Sequence, residues 1–246
     1  MAVRELTPGF WREAFEAAMA APKGLPGYVI QPKESLSEPP LDRGFIGDCR
    51  SAFANLTRLV GHGGVIAVVS PHRAEGRSAV AAGMGLAVAH DLESRVLLVD
   101  LDLREPGQGA LFGVPDAPGL SDHLADGVPL RLIGGATDRR LWLLTAGSAV
   151  TENATRIAHL LAKGTFFAGC RETFAWTILD LPPLLESTEA ALLCGLADVC
   201  VLVGRYRHTS INALSRAAAF IPAQRPTGFL LAANASRVPG WIDRML

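Results

Sequence analysis

Val65-Ile66-Ala67-Val68-Val69-Ser70-Pro71-His72-Arg73-Ala74-Glu75-Gly76-Arg77-Ser78 runs from an apolar, β-rich stretch into a short polar loop. Ala79 to His90, rich in alanine and glycine, then reads as a helix. A buried strand, a tight loop and a small-residue helix together have the layout of a phosphate-binding loop. In the pattern G-x-x-x-x-G-K-[ST], backbone N–H groups cradle phosphates, the lysine reaches the β- and γ-phosphates, and the hydroxyl meets Mg²⁺. Gly76 and Ser78 stand where that pattern wants them, Pro71 takes the place of the first glycine, and Arg77 that of the lysine. Arg73, Ala74, Glu75, Gly76, Arg77, Ser78 and Ala79 are the candidate nucleotide-contacting residues. The loop leaves two outcomes open, an ATP enzyme or the remnant of one.

Outward from this loop the chain alternates strand and helix patterns. Apolar runs at 95–99, 141–144, 176–179, 199–203 and 229–231 read as buried strands. Stretches of helical length lie at 42–59, 79–90, 155–168, 187–195 and 209–220. Such alternation predicts a doubly wound α/β domain, a mostly parallel sheet covered on both faces, with ligands at the carboxyl ends of the strands. Two acidic motifs fall at those ends: Asp100 and Asp102 in Val99-Asp100-Leu101-Asp102-Leu103-Arg104-Glu105-Pro106, and Asp180 in Leu179-Asp180-Leu181-Pro182-Pro183. A nucleotide-bound Mg²⁺ is held by one or two carboxylates, phosphate oxygens and a hydroxyl. Ser78, Asp100 or Asp102, and Asp180 supply that donor set, although each aspartate alone also suits a helix cap.

The first 45 residues differ in character. Pro8 to Ala20 predicts a helix with Trp11, Phe15, Ala18 and Met19 on one face, followed by a proline-rich linker over 22–40. The organisation expected is an N-terminal helix and linker arm over 1–45 and a nucleotide-binding-type domain over 46–246. The aromatic stripe either packs back onto the core or docks on a partner; the few basic residues near it argue against a lipid surface.

Composition narrows the classes. With 49% apolar residues, a chain of 246 residues builds a large core, and a net charge of −1 argues against nucleic acid as the main partner. Cys49, Cys170, Cys194 and Cys200 form no C-x-x-C pair, and the six histidines show no ligand spacing with them, so reduced structural thiols are expected and no zinc site. No run reaches the roughly 18 apolar residues of a membrane span, and Met1-Ala2-Val3-Arg4-Glu5 lacks the layout of a signal peptide, which points to the cytoplasm. Gly83-Met84-Gly85 falls inside the helix after the loop, not at a strand–helix turn, so a dinucleotide fingerprint is not supported.

Ala74-Glu75-Gly76-Arg77-Ser78, the run Val96–Pro106, Gly119-Leu120-Ser121-Asp122-His123-Leu124 and Phe174–Pro183 follow one another in an order that resembles the cytoplasmic domain of the bacterial tyrosine kinases of capsule and exopolysaccharide assembly. These belong to the wider ParA/MinD group of P-loop proteins, and the likeness covers roughly 45–235. The resemblance implies an ATP/ADP and Mg²⁺ site, with Arg77 at the place of the phosphate-binding lysine. It puts Ser78, Asp100 and Asp180 in metal-binding places, and Asp102 and Asp180 in catalytic ones. It also implies a location at the cytoplasmic side of the inner membrane, with a polysaccharide copolymerase or chain-length protein as partner.

The departures from the family pattern are several. Ala74 replaces a loop glycine at a position suited to positive φ. Arg77 offers a planar fork where a lysine offers a compact ammonium. The ring-assembly motif falls at Gly47, Arg50 and Phe53 with only the arginine kept, which favours monomer or dimer. The family's C-terminal tyrosine cluster is not matched by Trp241-Ile242-Asp243-Arg244-Met245-Leu246, and the two tyrosines are Tyr28 and Tyr206, so tyrosine-tail autophosphorylation is not expected. The expectation is a degenerate ATP-binding regulator whose nucleotide binding is weakened or lost. The alternative is an active ATPase or protein tyrosine kinase in which Arg77, with Arg73, holds phosphate. A MinD-like positioning ATPase ranks behind both.

Overall fold

The computed structural model describes residues 8–20, 36–61, 63–91, 94–115, 118–126, 128–134, 140–148 and 154–232. Most of the proline-rich linker and the stretch Trp241–Leu246 lie outside the described residues.

The strands are β1 (Gly64–Val69), β2 (Val96–Asp100), β3 (Ile133–Gly134), β4 (Leu141–Leu144), β5 (Trp176–Asp180), β6 (Val199–Arg205) and β7 (Thr227–Ala232). They form one sheet in the order β3-β4-β2-β5-β1-β6-β7. All pairings are parallel except β3 against β4. The doubly wound α/β architecture is as the alternation of patterns predicts, with one antiparallel edge added.

The central strands are largely apolar because both their faces are covered, with Asp100 and Asp180 at the carboxyl ends of β2 and β5. Val65, Ala67 and Val69 of β1 belong to one core cluster, and Ile66 and Val68 to the other. The second cluster lies beneath α2 (Arg43–Val60) and α3 (Arg77–Asp91). Helix α2 begins where the side chain of Asp42 accepts from the N–H of Phe45, and it ends at Gly61, whose φ of 79° suits glycine. Its contact with α3 is close enough that a Cβ on Gly83 would lie 2.7 Å from Cys49 Sγ, so Gly83 serves helix packing. The G-x-G run is accounted for without a dinucleotide.

The other face carries α1 (Pro8–Ala20), α6 (Ala154–Lys163), α7 (Phe166–Thr173), α8 (Thr188–Cys194) and α9 (Ile211–Ala218). The aromatic stripe packs inward: Trp11 and Phe15 are buried, edge-on to Phe166, and Phe15 also meets Phe174. Aromatic pairs of this geometry each add about 0.5–1.5 kcal/mol beyond their area. Where one helix is expected over 155–168 there are two, broken at Gly164. That residue's Cβ position lies 2.8 Å from the carbonyl of Leu160, and glycine inside a helix costs about 1 kcal/mol against alanine. Two short helices, α4 (Gln108–Leu111) and α5 (Leu120–Asp126), lie in the segment between β2 and β3.

The order β2-β5-β1 at the sheet centre brings the loop after β1 beside both acidic motifs. Register fixes the match, since Asp100 pairs with Asp180 across β2 and β5, and Val68 of β1 pairs with Asp180.

Candidate functional site

The loop from Ser70 to Gly76 is held by its own polar groups. Ser70 Oγ donates to the carbonyl of His72, and the buried Glu75 carboxylate accepts from the N–H of His72 at 2.9 Å and from Thr209 Oγ1 at 2.6 Å. Ala74 has φ 58° and Gly76 φ 90°, so the backbone keeps the left-handed turn of a phosphate loop even where alanine stands. The strand-to-helix path is set by the segment after β5 as well. The N–H groups of Leu184 and Leu185 donate to the carbonyls of Ser70 and Pro71. Glu186 next to them accepts from His72 Nδ1 at 3.0 Å and from the N–H of Arg73 at 3.3 Å.

Helix α3 starts at Arg77, which turns its side chain down onto the strand ends. A cation at a helix N-terminus is disfavoured by the helix dipole and needs acidic partners. It has two: Nε donates to Asp180 Oδ1 and Nη2 to Asp102 Oδ2, each at 2.8 Å. Only 9% of the Arg77 side chain is exposed, against 1% for Asp102 and 0% for Asp180. Burial by itself would lower the Arg77 pKa, but Asp180, Asp102 and Asp100 outweigh it and hold the guanidinium above its ordinary value. Arg73 adds a second cation, with Nη1 reaching Asp102 at 3.2 Å and Glu105 at 2.9 Å.

Asp100 does different work. Its carboxylate accepts from the N–H groups of Asp102, Gly107 and Gln108, which shapes the turn out of β2. Burial, and then the charge of Asp180, push its pKa up to about 8 against the pull of those N–H groups. Gln108, fully buried, ties three parts together: its Nε2 donates to the carbonyl of Ser78 and to Asp180 Oδ2. The sequence reading missed Gln108, Glu186 and Thr209. Gln108 stands two places beyond Pro106 of the second acidic motif, which was the signal available for it.

The sequence candidates are thus brought to one place, but in roles that differ. Gly76 and Ala74 shape the loop, Glu75 braces it, Arg73 and Arg77 face aspartates, and Ser78 and Ala79 form the first turn of α3. A Mg²⁺ ion does not fit the arrangement. Every carboxylate oxygen of Asp100, Asp102 and Asp180 already accepts a hydrogen bond, and two of the six accept from Arg77. A hard dication needs oxygens at about 2.0–2.1 Å, and here it would have to share them with a guanidinium. Among the described residues no group of His, Cys, Asp and Glu is arranged to hold a metal ion.

No family model matches the chain. Over 139 residues, 56% of its length, the chain is 27% identical to the tyrosine-protein kinase YwqD of Bacillus subtilis (strain 168) and covers 58% of it. It therefore spans a little over half the length of this curated relative. The kinase domain of the Escherichia coli tyrosine kinase ETK shares the fold at a TM-score of 0.69 and 18% identity, over 78% of this chain and 77% of that one. The septum site-determining protein MinD of Pyrococcus horikoshii OT3, solved with Mg-ADP, does so at 0.58 and 19%, over 74% and 76%. Among the described residues no helix is long and apolar enough to cross a membrane. The chain has a P-loop NTPase-like α/β fold that it shares with MinD, and over about half its length it is similar in sequence to bacterial tyrosine kinases.

Proposed function

We propose that this chain is a tyrosine-kinase-like regulator of bacterial capsule or exopolysaccharide assembly that does not turn over ATP. It acts at the cytoplasmic side of the inner membrane, through a polysaccharide copolymerase or chain-length protein. One observation carries the reading: Arg77, at the place of the phosphate-binding lysine, is bonded to both Asp102 and Asp180. For Arg77 to reach a phosphate it must leave two buried carboxylates behind, and breaking a buried pair costs about 3–5 kcal/mol. Asp102 and Asp180, the catalytic candidates, are held by the same contacts. Loss of one preorganised charge-stabilising donor typically slows chemistry by about 100- to 1000-fold. A nucleotide entering this site would place its phosphates on the backbone from Ala74 to Ser78, whose turn suits them.

The test is incubation of the full chain with γ-labelled ATP and Mg²⁺, alone and with membranes holding the copolymerase. No labelled tyrosine and no phosphate release above the buffer rate is the expected result; label on the protein overturns the reading. The alternative is an active ATPase or tyrosine kinase using Arg77 with Arg73. It draws on the left-handed backbone at Ala74 and on the complete set Asp100, Asp102 and Asp180.

A further inference from the structure

Nε and Nη2 of Arg77 donate from one edge of a planar guanidinium, so one oxygen of Asp180 and one of Asp102 are held side by side. The two oxygens come from the ends of different strands, and both residues are buried. Gln108 Nε2 donates to the carbonyl of Ser78 and to Asp180 Oδ2. Both partners are acceptors, which fixes the amide orientation. Gln108 Oε1 is then left buried with no partner among the described residues, beside Asp180. Two carboxylate oxygens bridged by one cation are hard-oxygen donors of the kind that a divalent cation takes. The cation that bridges the two carboxylates is the protein's own.

We propose that Arg77 is a built-in substitute for a divalent cation: its guanidinium neutralises Asp102 and Asp180 and keeps metal out of a pocket that would otherwise bind one. Charge supports this. Arg77 pairs with both Asp102 and Asp180, and Arg73 also pairs with Asp102, so two cations face these two carboxylates. The inference concerns the cation and stands whether or not the chain serves polysaccharide assembly.

The test is Mn²⁺ binding to the full chain, read by loss of the free-ion electron paramagnetic resonance signal, with melting temperature followed in parallel. The wild type is expected to leave the signal unchanged. Arg77→Ala takes up one Mn²⁺ per chain at least ten-fold more tightly, gains melting temperature with added Mn²⁺, and loses both on further substitution Asp180→Asn. Arg77→Lys, which keeps a charge, stays metal-free in the absence of nucleotide. Arg77→Gln, nearer in length to arginine, provides a second neutral variant, and whichever neutral variant is folded by circular dichroism must bind. Uptake by the wild type as tight as by the neutral variant, or a folded neutral variant that takes up no Mn²⁺, overturns the proposal.

Discussion

Replacing Arg77 with alanine strips the only cation that touches both Asp102 and Asp180 among the described residues. The three side chains are 9%, 1% and 0% exposed, so solvent offers the stranded carboxylates little. Removing one partner of a buried ion pair costs about 3–5 kcal/mol. Arg73 stays within 3.2 Å of Asp102 and relieves part of the loss, which puts the expectation near the lower figure. For a chain of this size each kcal/mol moves the melting temperature by about 2–4 °C, so a fall of roughly 6–12 °C is expected. Urea unfolding of the wild type, Arg77→Ala, Asp180→Ala and the double variant gives the coupling energy, which should exceed about 1.5 kcal/mol if the contact is as buried as the geometry says. Arg50 with Asp91 serves as an internal control, because both side chains reach solvent, and Arg50→Ala should cost under about 1 kcal/mol. If Arg77→Ala costs no more than Arg50→Ala, the buried triad is not the anchor of this site.

Three further outcomes follow from the same geometry. Ala74→Gly should stabilise by about 1 kcal/mol, seen as a rise in melting temperature, because a non-glycine residue at φ 58° carries left-handed strain. Asp100 has a folded pKa raised to about 8 from 3.8, so the folded chain holds a proton that the unfolded chain has lost. Its contribution is complete below about pH 4 and is lost as pH climbs through 8, and stability by urea midpoint should fall between pH 5 and 8, by less than about 1.4 kcal/mol per pH unit. Asp91 and Glu189, with lowered pKa values, act in the opposite sense and only in acid, so they leave that window flat. All four cysteines are buried, with the Cys49 thiol pushed up to about 12 by burial, then by Asp48. A thiol reagent at pH 8 should therefore meet none in the native chain and four in denaturant, and rapid native labelling would contradict the packing.

Much of this arrangement is legible in the chain itself, and the parts that are not have physical reasons. The central strands announce themselves because burial on both faces demands unbroken apolar runs such as Val65–Val69. The loop and the two acidic motifs can be placed on one sheet edge from their positions after β1, β2 and β5. What the pattern does not reveal is direction. Arg77 in a phosphate loop reads as a ligand for phosphate, yet its partners are carboxylates that lie 25 and 103 residues away. Gln108 reads as an ordinary polar residue until the register sets Asp180 beside it. The edge strand β3, at two residues, is too short to show an alternation, and Gly164 splits a helical pattern that otherwise runs on.

The central claim is that Arg77 belongs to the aspartates and not to a phosphate. Titration of the full chain with a fluorescent ATP analogue, with and without Mg²⁺, beside the Arg77→Lys variant, tests it most directly. The account predicts weak binding by the wild type that Mg²⁺ does not improve, and a gain in Mg²⁺-dependent affinity with lysine in place. Tight, Mg²⁺-dependent binding by the wild type, unchanged or weakened in Arg77→Lys, would contradict it.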